Sequence, residues 1–211
     1  MLASKYFLYL ANGPGLEVKI GLSSNLRIDA AWLEQFGYSE LQIYQPPQSL
    51  RIAETVLEQL QAQPGLSSRK FFKKVKQIIV GLGGWHNGRL QSVQLRELAS
   101  PLPDLADLEQ PFWGRCLLGT ELPEAIRAFG YNLPWNPEDW MQQLYLQGKI
   151  YRIAAVGTDR FGMAQCRRCG STEGIFTTHC LSCGDPHCLV CSNCQTMGLA
   201  KSCIPLYYCP Y

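Results

Sequence analysis

The first hundred residues alternate short apolar runs with amphipathic stretches. Tyr6 to Leu10 is aromatic and apolar, the turn Asn12-Gly13-Pro14-Gly15 follows, and Leu16 to Leu22 supplies a partner, so a β-hairpin is predicted. Ala30 to Phe36 reads as a short helix, and Leu41 to Tyr44 as a strand stopped by Pro46-Pro47. Ser49 suits the N-cap of a helix running to about Ala62, with Ile52, Val56, Leu57 and Leu60 on one face and Pro64-Gly65 ending it. Ser68 to Leu82 is amphipathic and basic. It carries Arg69, Lys70, Lys73, Lys74 and Lys76 within eight residues, interleaved with Phe71 and Phe72.

Residues 100–111 are rich in proline and acidic side chains and read as a linker. Beyond it, Leu122 to Phe129 is helix-like. Asn136-Pro137-Glu138-Asp139 has the order of an N-cap, a proline at the first helical position and acids in the first turn, which predicts a helix to about Leu146, ended at Gly148. Lys149 to Val156 then reads as a strand, Gly157-Thr158-Asp159 as a turn, and Arg160 to Gln165 as a second strand. The expected fold class is α+β: an α+β domain over 1–99, the linker, a helical and hairpin segment over 112–165 that resembles a reduced winged helix, and a cysteine-rich module over 166–211.

Composition narrows the function classes. With 46% hydrophobic and 17% charged residues among 211, the chain has core enough for one sizeable domain or several small ones and is not a disordered polymer. No stretch approaches the 18 or so apolar residues of a membrane-spanning helix, and the N-terminus lacks the long apolar region and cleavage site of a secretory signal. A net charge of +2 gives no global attraction to nucleic acid, so such binding needs local patches. A cytoplasmic protein is expected.

The cysteines change the picture most. Of ten, nine fall between Cys166 and Cys209. Cys166/Cys169 and Cys180/Cys183 are CxxC pairs, each followed by glycine. That spacing lets two thiolates meet one ion at the tip of a turn, and two such knuckles complete a closed tetrahedral zinc site. One zinc on Cys166, Cys169, Cys180 and Cys183 is therefore expected, and Cys188, Cys191, Cys194 and Cys203 are candidates for a second. An alternative pairs Cys166/Cys169 with Cys191/Cys194 and leaves the middle pair to other partners. An iron–sulfur cluster uses the same donors. A CxxC disulfide closes too small a loop to stabilise much. His179 and His187 adjoin the cysteines and either replace a thiolate or stand beside the site. Only Glu173 and Asp185 are acidic in the tail, and the deaminase pattern of HxE with PCxxC is absent, which favours a structural ion over a catalytic one.

CRRCG at Cys166, the second CxxC-Gly, Cys191-x-x-Cys194 followed by Met197-Gly198, and Cys203-Ile-Pro-Leu-Tyr-Tyr together resemble the zinc-binding region of ComFA, over about residues 150–208. The resemblance implies a factor acting in the cytoplasm in uptake of transforming single-stranded DNA, a zinc module preceding a DEAD-box-like ATPase motor, and DNA contact by that module. It carries the family's four-cysteine site onto Cys166, Cys169, Cys180 and Cys183. No GxxxxGK[ST] phosphate loop occurs, and Gly148-Lys149 is followed by Ile150, so no ATPase of its own is expected. The chain stops where that motor would begin. A motor in cis or in trans and other competence proteins are the implied partners, with single-stranded DNA as the ligand.

Tyr6-Phe7-Leu8-Tyr9 and the run from Lys19 to Arg27 are similar to the opening of GIY-YIG nucleases. There a tyrosine precedes Ile-Gly and an arginine lies ten residues after that tyrosine; here those places hold Lys19 and Asp29, and Glu54 or Glu58 stands where a metal-binding glutamate lies on a later helix. Nuclease activity is not expected from this set. For nucleic acid the candidates are Arg69, Lys70, Lys73, Lys74 and Lys76, with Phe71 and Phe72 for stacking, and Arg167 and Arg168, expected to point outward from the first knuckle. Tyr207 and Tyr208 either stack on bases or begin a core strand. Cys116 is expected to be buried and His86 to be incidental. The leading expectation is a zinc-dependent, non-catalytic, DNA-binding accessory region. A protein-interaction module and a divergent nuclease are its rivals.

Overall fold

The computed structural model describes residues 5–15, 17–61, 66–83, 87–102, 105, 112–131, 136–159 and 161–210. Pro64-Gly65, His86, most of the linker and Arg160 lie outside them. The chain divides into two compact units, Lys5–Leu102 and the part from Pro103 onward. Both mix helix and strand, so the fold is α+β.

In the first unit, β1 (Phe7–Asn12), β2 (Val18–Ser23), β3 (Glu40–Gln45) and β4 (Arg89–Gln94) form an antiparallel sheet in the order β2-β1-β3-β4. The β1–β2 hairpin is in register from Phe7↔Ser23 to Asn12↔Val18. Central β1 is apolar on both sides because both faces are covered. Tyr9 and Ala11 pack with Ala30 and Leu33 of α1 (Leu26–Glu34) and Leu95 of the short α4 (Leu95–Leu98). α2 (Leu50–Gln61) packs on β1 and β2, and α3 (Ser68–Gly81) on α2 and β3. Strand β4 is not evident from the sequence. RLQSVQ carries few apolar residues because it is an edge strand with a single neighbour and no fully buried position.

The second unit is closed by its own end. β5 (Cys116–Leu118), β6 (Tyr151–Ala154) and β11 (Pro205–Tyr208) form a three-stranded antiparallel sheet with the last strand in the middle. α5 (Leu122–Ala128) and α6 (Pro137–Leu146) pack with one of its faces through Leu122, Ile126, Trp140, Met141, Leu144 and Tyr207. The Asn136 side chain caps α6, accepting from the Glu138 N–H at 3.1 Å. The single strand expected over Lys149 to Val156 is two: β6 pairs with β11, and β7 (Val156–Thr158) pairs with β8 (Ala164–Cys166). The hairpin after α6 therefore serves to hold Cys166. β9 (Ile175–Thr178) and β10 (Cys188–Cys191) form a further hairpin, and a 3-10 turn spans Ser192–Met197.

Candidate metal centres

The two CxxC-Gly turns fold alike. Cys166 N–H donates to Ser171 O at 2.9 Å and Gly170 N–H to Cys166 O at 2.8 Å; Cys180 N–H donates to Asp185 O at 3.1 Å and Gly184 N–H to Cys180 O at 2.8 Å. Gly170 (φ +77) and Gly184 (φ +73) occupy the left-handed region that side chains disfavour, which is why glycine follows each pair. The turns thus aim two thiols each at one point.

They do not share that point. Cys166, Cys169, Cys191 and Cys194 form one group, and Cys180, Cys183, Cys188 and Cys203 another, with the sulfurs of each within 4.8 Å of one another. The expectation that Cys166/Cys169 join Cys180/Cys183 is overturned, for the spacing reading and for the family carry-over alike. The physical reason is β10. Cys188 and Cys191 stand at opposite ends of this strand, about 10 Å apart along it, so each must serve a different centre. β9 carries the chain from the first centre to the second and β10 brings it back. The alternative pairing of Cys166/Cys169 with Cys191/Cys194 describes the first centre, and Cys188 and Cys203 complete the second.

The spacing of the sulfurs suits an ion. Four sulfurs about 2.3 Å from a tetrahedral ion stand about 3.8 Å apart. Cys166 Sγ lies 3.7 Å from Cys194 Sγ, Cys169 Sγ 3.8 Å from Cys191 Sγ, and Cys180 Sγ 3.9 Å from Cys203 Sγ. None of the ten cysteines forms a disulfide. Each group can therefore hold one metal ion in a closed set of four thiolates, compatible with zinc and leaving no protein-vacated position for substrate.

Without a cation the thiols compete for protons. The Cys188 thiol is held well below its usual range by hydrogen bonds from Cys183 and Cys203, and the Cys183 thiol is pushed up to about 12, chiefly by its bond to Cys188. Burial, then bonds to Cys169 and Cys166, pushes Cys194 up. A divalent ion removes this conflict, because it stabilises all four thiolates at once. Ser202 supports the second centre: its buried hydroxyl lies 3.4 Å from Cys188 Sγ and accepts the Leu189 N–H at 3.0 Å.

The first centre is packed into an apolar layer. Cys166, Cys191 and Cys194 cluster with Leu118 of β5, Leu206 of β11, Val156 and Ala200. A family model, the competence protein ComFA N-terminal domain, matches residues 103–208. The chain belongs to the ComFA family. The match takes in β5, α5 and α6 as well as all eight grouped cysteines, which fits a unit whose last strand returns to pair with β5 and β6. No curated protein and no solved structure matches the chain.

The other candidates are placed as follows. His179 and His187 are exposed and belong to neither ligand group. Arg167 and Arg168 do not point outward. Arg167 donates to Ala154 O at 3.3 Å, and Arg168 donates to Met197 O, to Gly198 O at 3.1 Å and to Glu121 Oε1 at 2.5 Å. Both tie the first knuckle to the rest of the ComFA domain. Arg168 in this way satisfies the Met197 and Gly198 carbonyls, which lie in irregular chain beside the first centre. Glu121, unremarked in the sequence, is the counter-ion. The Met197-Gly198 signature marks this contact: Gly198 has φ +98, and a Cβ there would approach Arg168 Nη1 at 3.2 Å. Cys116, expected to be buried, is exposed on β5.

On α3, Arg69, Lys70, Lys73 and Lys76 are exposed and Lys74 is half-buried, with none of the five in an ion pair among the described residues. Phe71 is not available for stacking, being fully buried in the core, and Phe72 is half-buried against Tyr44 with ring centroids 5.8 Å apart. Phe72, Lys73, Lys76, Gln77 and Val80 line a shallow hollow of about 440 Å³. Where GIY-YIG nucleases hold an arginine, Asp29 is buried and accepts from Tyr9 Oη at 2.8 Å and Ser23 Oγ at 2.5 Å. Glu54 and Glu58 lie on α2, half-buried and exposed respectively. Among the described residues no helix is long and apolar enough to cross a membrane.

Proposed function

We propose that this chain is a zinc-organised accessory region of a ComFA-type competence factor that binds single-stranded DNA in the cytoplasm and performs no catalysis of its own. The observation that carries the reading is the pair of closed four-cysteine groups inside the ComFA domain. Four thiolates around each ion leave no position for an activated water, so the ions fold the tail and do not react. Zinc is the ion that best fits two tetrahedral, all-thiolate sets with knuckle glycines. The cations of α3, none of them ion-paired among the described residues, supply phosphate contacts on the other unit. Motor function belongs to an ATPase acting in cis or in trans, since the phosphate-loop pattern is absent from this sequence.

The test is equilibrium binding of a labelled oligothymidylate to zinc-loaded protein across a salt series. Preference for single strand over duplex, with an affinity falling steeply with salt, supports the reading. No binding at low salt removes it. Exchanging Lys73 and Lys76 for glutamate is expected to lower the salt slope by about two phosphate contacts.

A second reading, a docking surface for a protein partner such as the motor, is favoured by one observation. Leu181 at the tip of the second knuckle is 92% exposed, and Phe161 and Met163 at the β7–β8 turn are 74% and 61% exposed. Leu181→Ser would weaken motor association while leaving DNA affinity unchanged.

A further inference from the structure

Tyr151 and Tyr208 face each other across β6 and β11, with ring centroids 6.2 Å apart and planes 22° apart. Both rings are in solvent, at 60% and 44% exposure. Residues paired across antiparallel strands share a face, so the sheet carries a solvent-facing row of Cys116, Tyr208 and Tyr151. Two residues along, about 7 Å away, the next row of that face is Leu118, Leu206 and Ile153. That row is covered by the apolar layer around Cys166, Cys191 and Cys194.

The opposite face holds Tyr207, 4% exposed, in the helical core, and Arg152, whose guanidinium lies 4.3 Å from the Tyr145 ring centroid. The alternation of the strands therefore decides which tyrosine of the Tyr207-Tyr208 pair is presented. The layer around the first cysteine group covers the neighbouring row of that face, and the helices back the sheet. The two exposed rings stand on a support that leaves them little freedom to turn inward.

We infer that the Tyr151–Tyr208 pair is a stacking platform for the unpaired bases of single-stranded nucleic acid. This rests on the proposed DNA-binding role and names a surface for it in the ComFA domain, separate from the cations of α3. Two features select this ligand. Adjacent exposed aromatic rings on a sheet match the π-face that every unstacked base offers, whatever the sequence. The charge is also complementary to a phosphate chain. Lys149, two residues before Tyr151 on the same side of the chain, is exposed beside the pair, and no carboxylate occurs among residues 112–118, 149–154 and 204–210. Arg115, also exposed, packs instead over the Phe129 ring at 4.7 Å on the helical side.

The experiment uses the full zinc-loaded chain and a fluorescent oligothymidylate of about 15 nucleotides, long enough for one such site. Tyr151→Ala with Tyr208→Ala is expected to weaken binding about ten-fold or more. The dependence of affinity on salt should keep its slope, because stacking releases no counterions. Tyr151→Phe with Tyr208→Phe keeps the rings and should bind as the parent does. Metal content and thermal unfolding report whether the variants are folded.

A second measurement does not depend on the variants folding. Illumination of the parent protein with an oligonucleotide carrying 5-iododeoxyuridine should leave the adduct on Tyr151 or Tyr208. Adducts only on other residues, or a double alanine variant that binds like the parent, overturn the platform and leave the DNA-binding role standing. A parent protein that binds no single-stranded DNA at low salt overturns both. Loss of a protein contact in the alanine variant, with DNA affinity unchanged, also overturns the platform and assigns the face to a protein.

Discussion

Arg168 Nη2 lies 2.5 Å from Glu121 Oε1, a contact that joins the first cysteine knuckle to the residue opening α5, forty-seven positions earlier in the chain. The other Glu121 oxygen accepts the Leu118 N–H at 2.8 Å, so one carboxylate holds β5 with one oxygen and the knuckle with the other. Arg168 also reaches the carbonyls of Met197 and Gly198. Arg168→Ala is expected to lower stability by about 1–2 kcal/mol, since charged hydrogen bonds are lost but the pair is partly solvated. Arg168→Lys should recover only part of this, because an ammonium cannot span carboxylate and carbonyls as a planar fork does. Denaturant unfolding measures both. DNA affinity at fixed temperature should not move, which separates this structural role from the phosphate contact expected of an outward arginine.

Metal stoichiometry follows from the two thiol groups. Purified protein should carry two zinc ions. Cys166→Ser and Cys191→Ser should each lose the same one, and Cys180→Ser and Cys188→Ser the other. Elemental analysis combined with the double variants decides it: Cys166→Ser with Cys191→Ser keeps one ion if those residues share a centre and loses both if they do not. A single ion that survives Cys191→Ser but not Cys180→Ser would restore the pairing that overlapping spacing suggests.

Both knuckles were legible because CxxC-Gly is a local device, complete within five residues. The pairing was not, because it depends on where β9 and β10 carry the chain. Cys188-Leu-Val-Cys191 looks like a third CxxC knuckle, yet it is a strand whose Val190 is buried, and extension rather than a turn separates its thiols. Helix α6 was legible through Asn136-Pro137 and its acids, and α2 through its apolar stripe. β4 was hidden by being an edge, and the central place of β11 by pairing across the whole second unit. The outward reading of Arg167 and Arg168 failed because the backbone carbonyls of Ala154, Met197 and Gly198, distant in sequence, lie within their reach.

Thiol accessibility separates the cysteines by place. Cys116 is exposed and outside both groups, while Cys209 is buried. Iodoacetamide should therefore label Cys116 first, and Cys116→Ser should remove most of the labelling. On mild chelation Cys169 should follow, because it is the one exposed ligand of the first centre, whereas all four ligands of the second are buried. Mass spectrometry of the labelled peptides reads the order. Earlier labelling of Cys180 or Cys183 than of Cys169 would contradict it.

The first unit depends on a different polar device. Asp29 is fully buried on α1, and the hydroxyls of Tyr9 on β1 and Ser23 on β2 both donate to it. The Asp29 carboxyl group ties the helix to two strands, and removing it takes an acceptor from two buried hydroxyls. Asp29→Ala should cost about 2–3 kcal/mol, and Tyr9→Phe about 1 kcal/mol, since the carboxylate then keeps its serine. The loss should appear as an earlier unfolding transition with two zinc ions still bound, because every metal ligand lies in the other unit. The same residue bears on chemistry. A nuclease of the kind the hairpin resembles holds an arginine where this chain buries an aspartate. Asp29→Arg would place that cation in a fully enclosed site between two strands and should unfold the unit instead of creating cleavage. Magnesium- or manganese-dependent nicking by the parent protein, abolished by Glu54→Gln, is the result that would return the unit to catalysis.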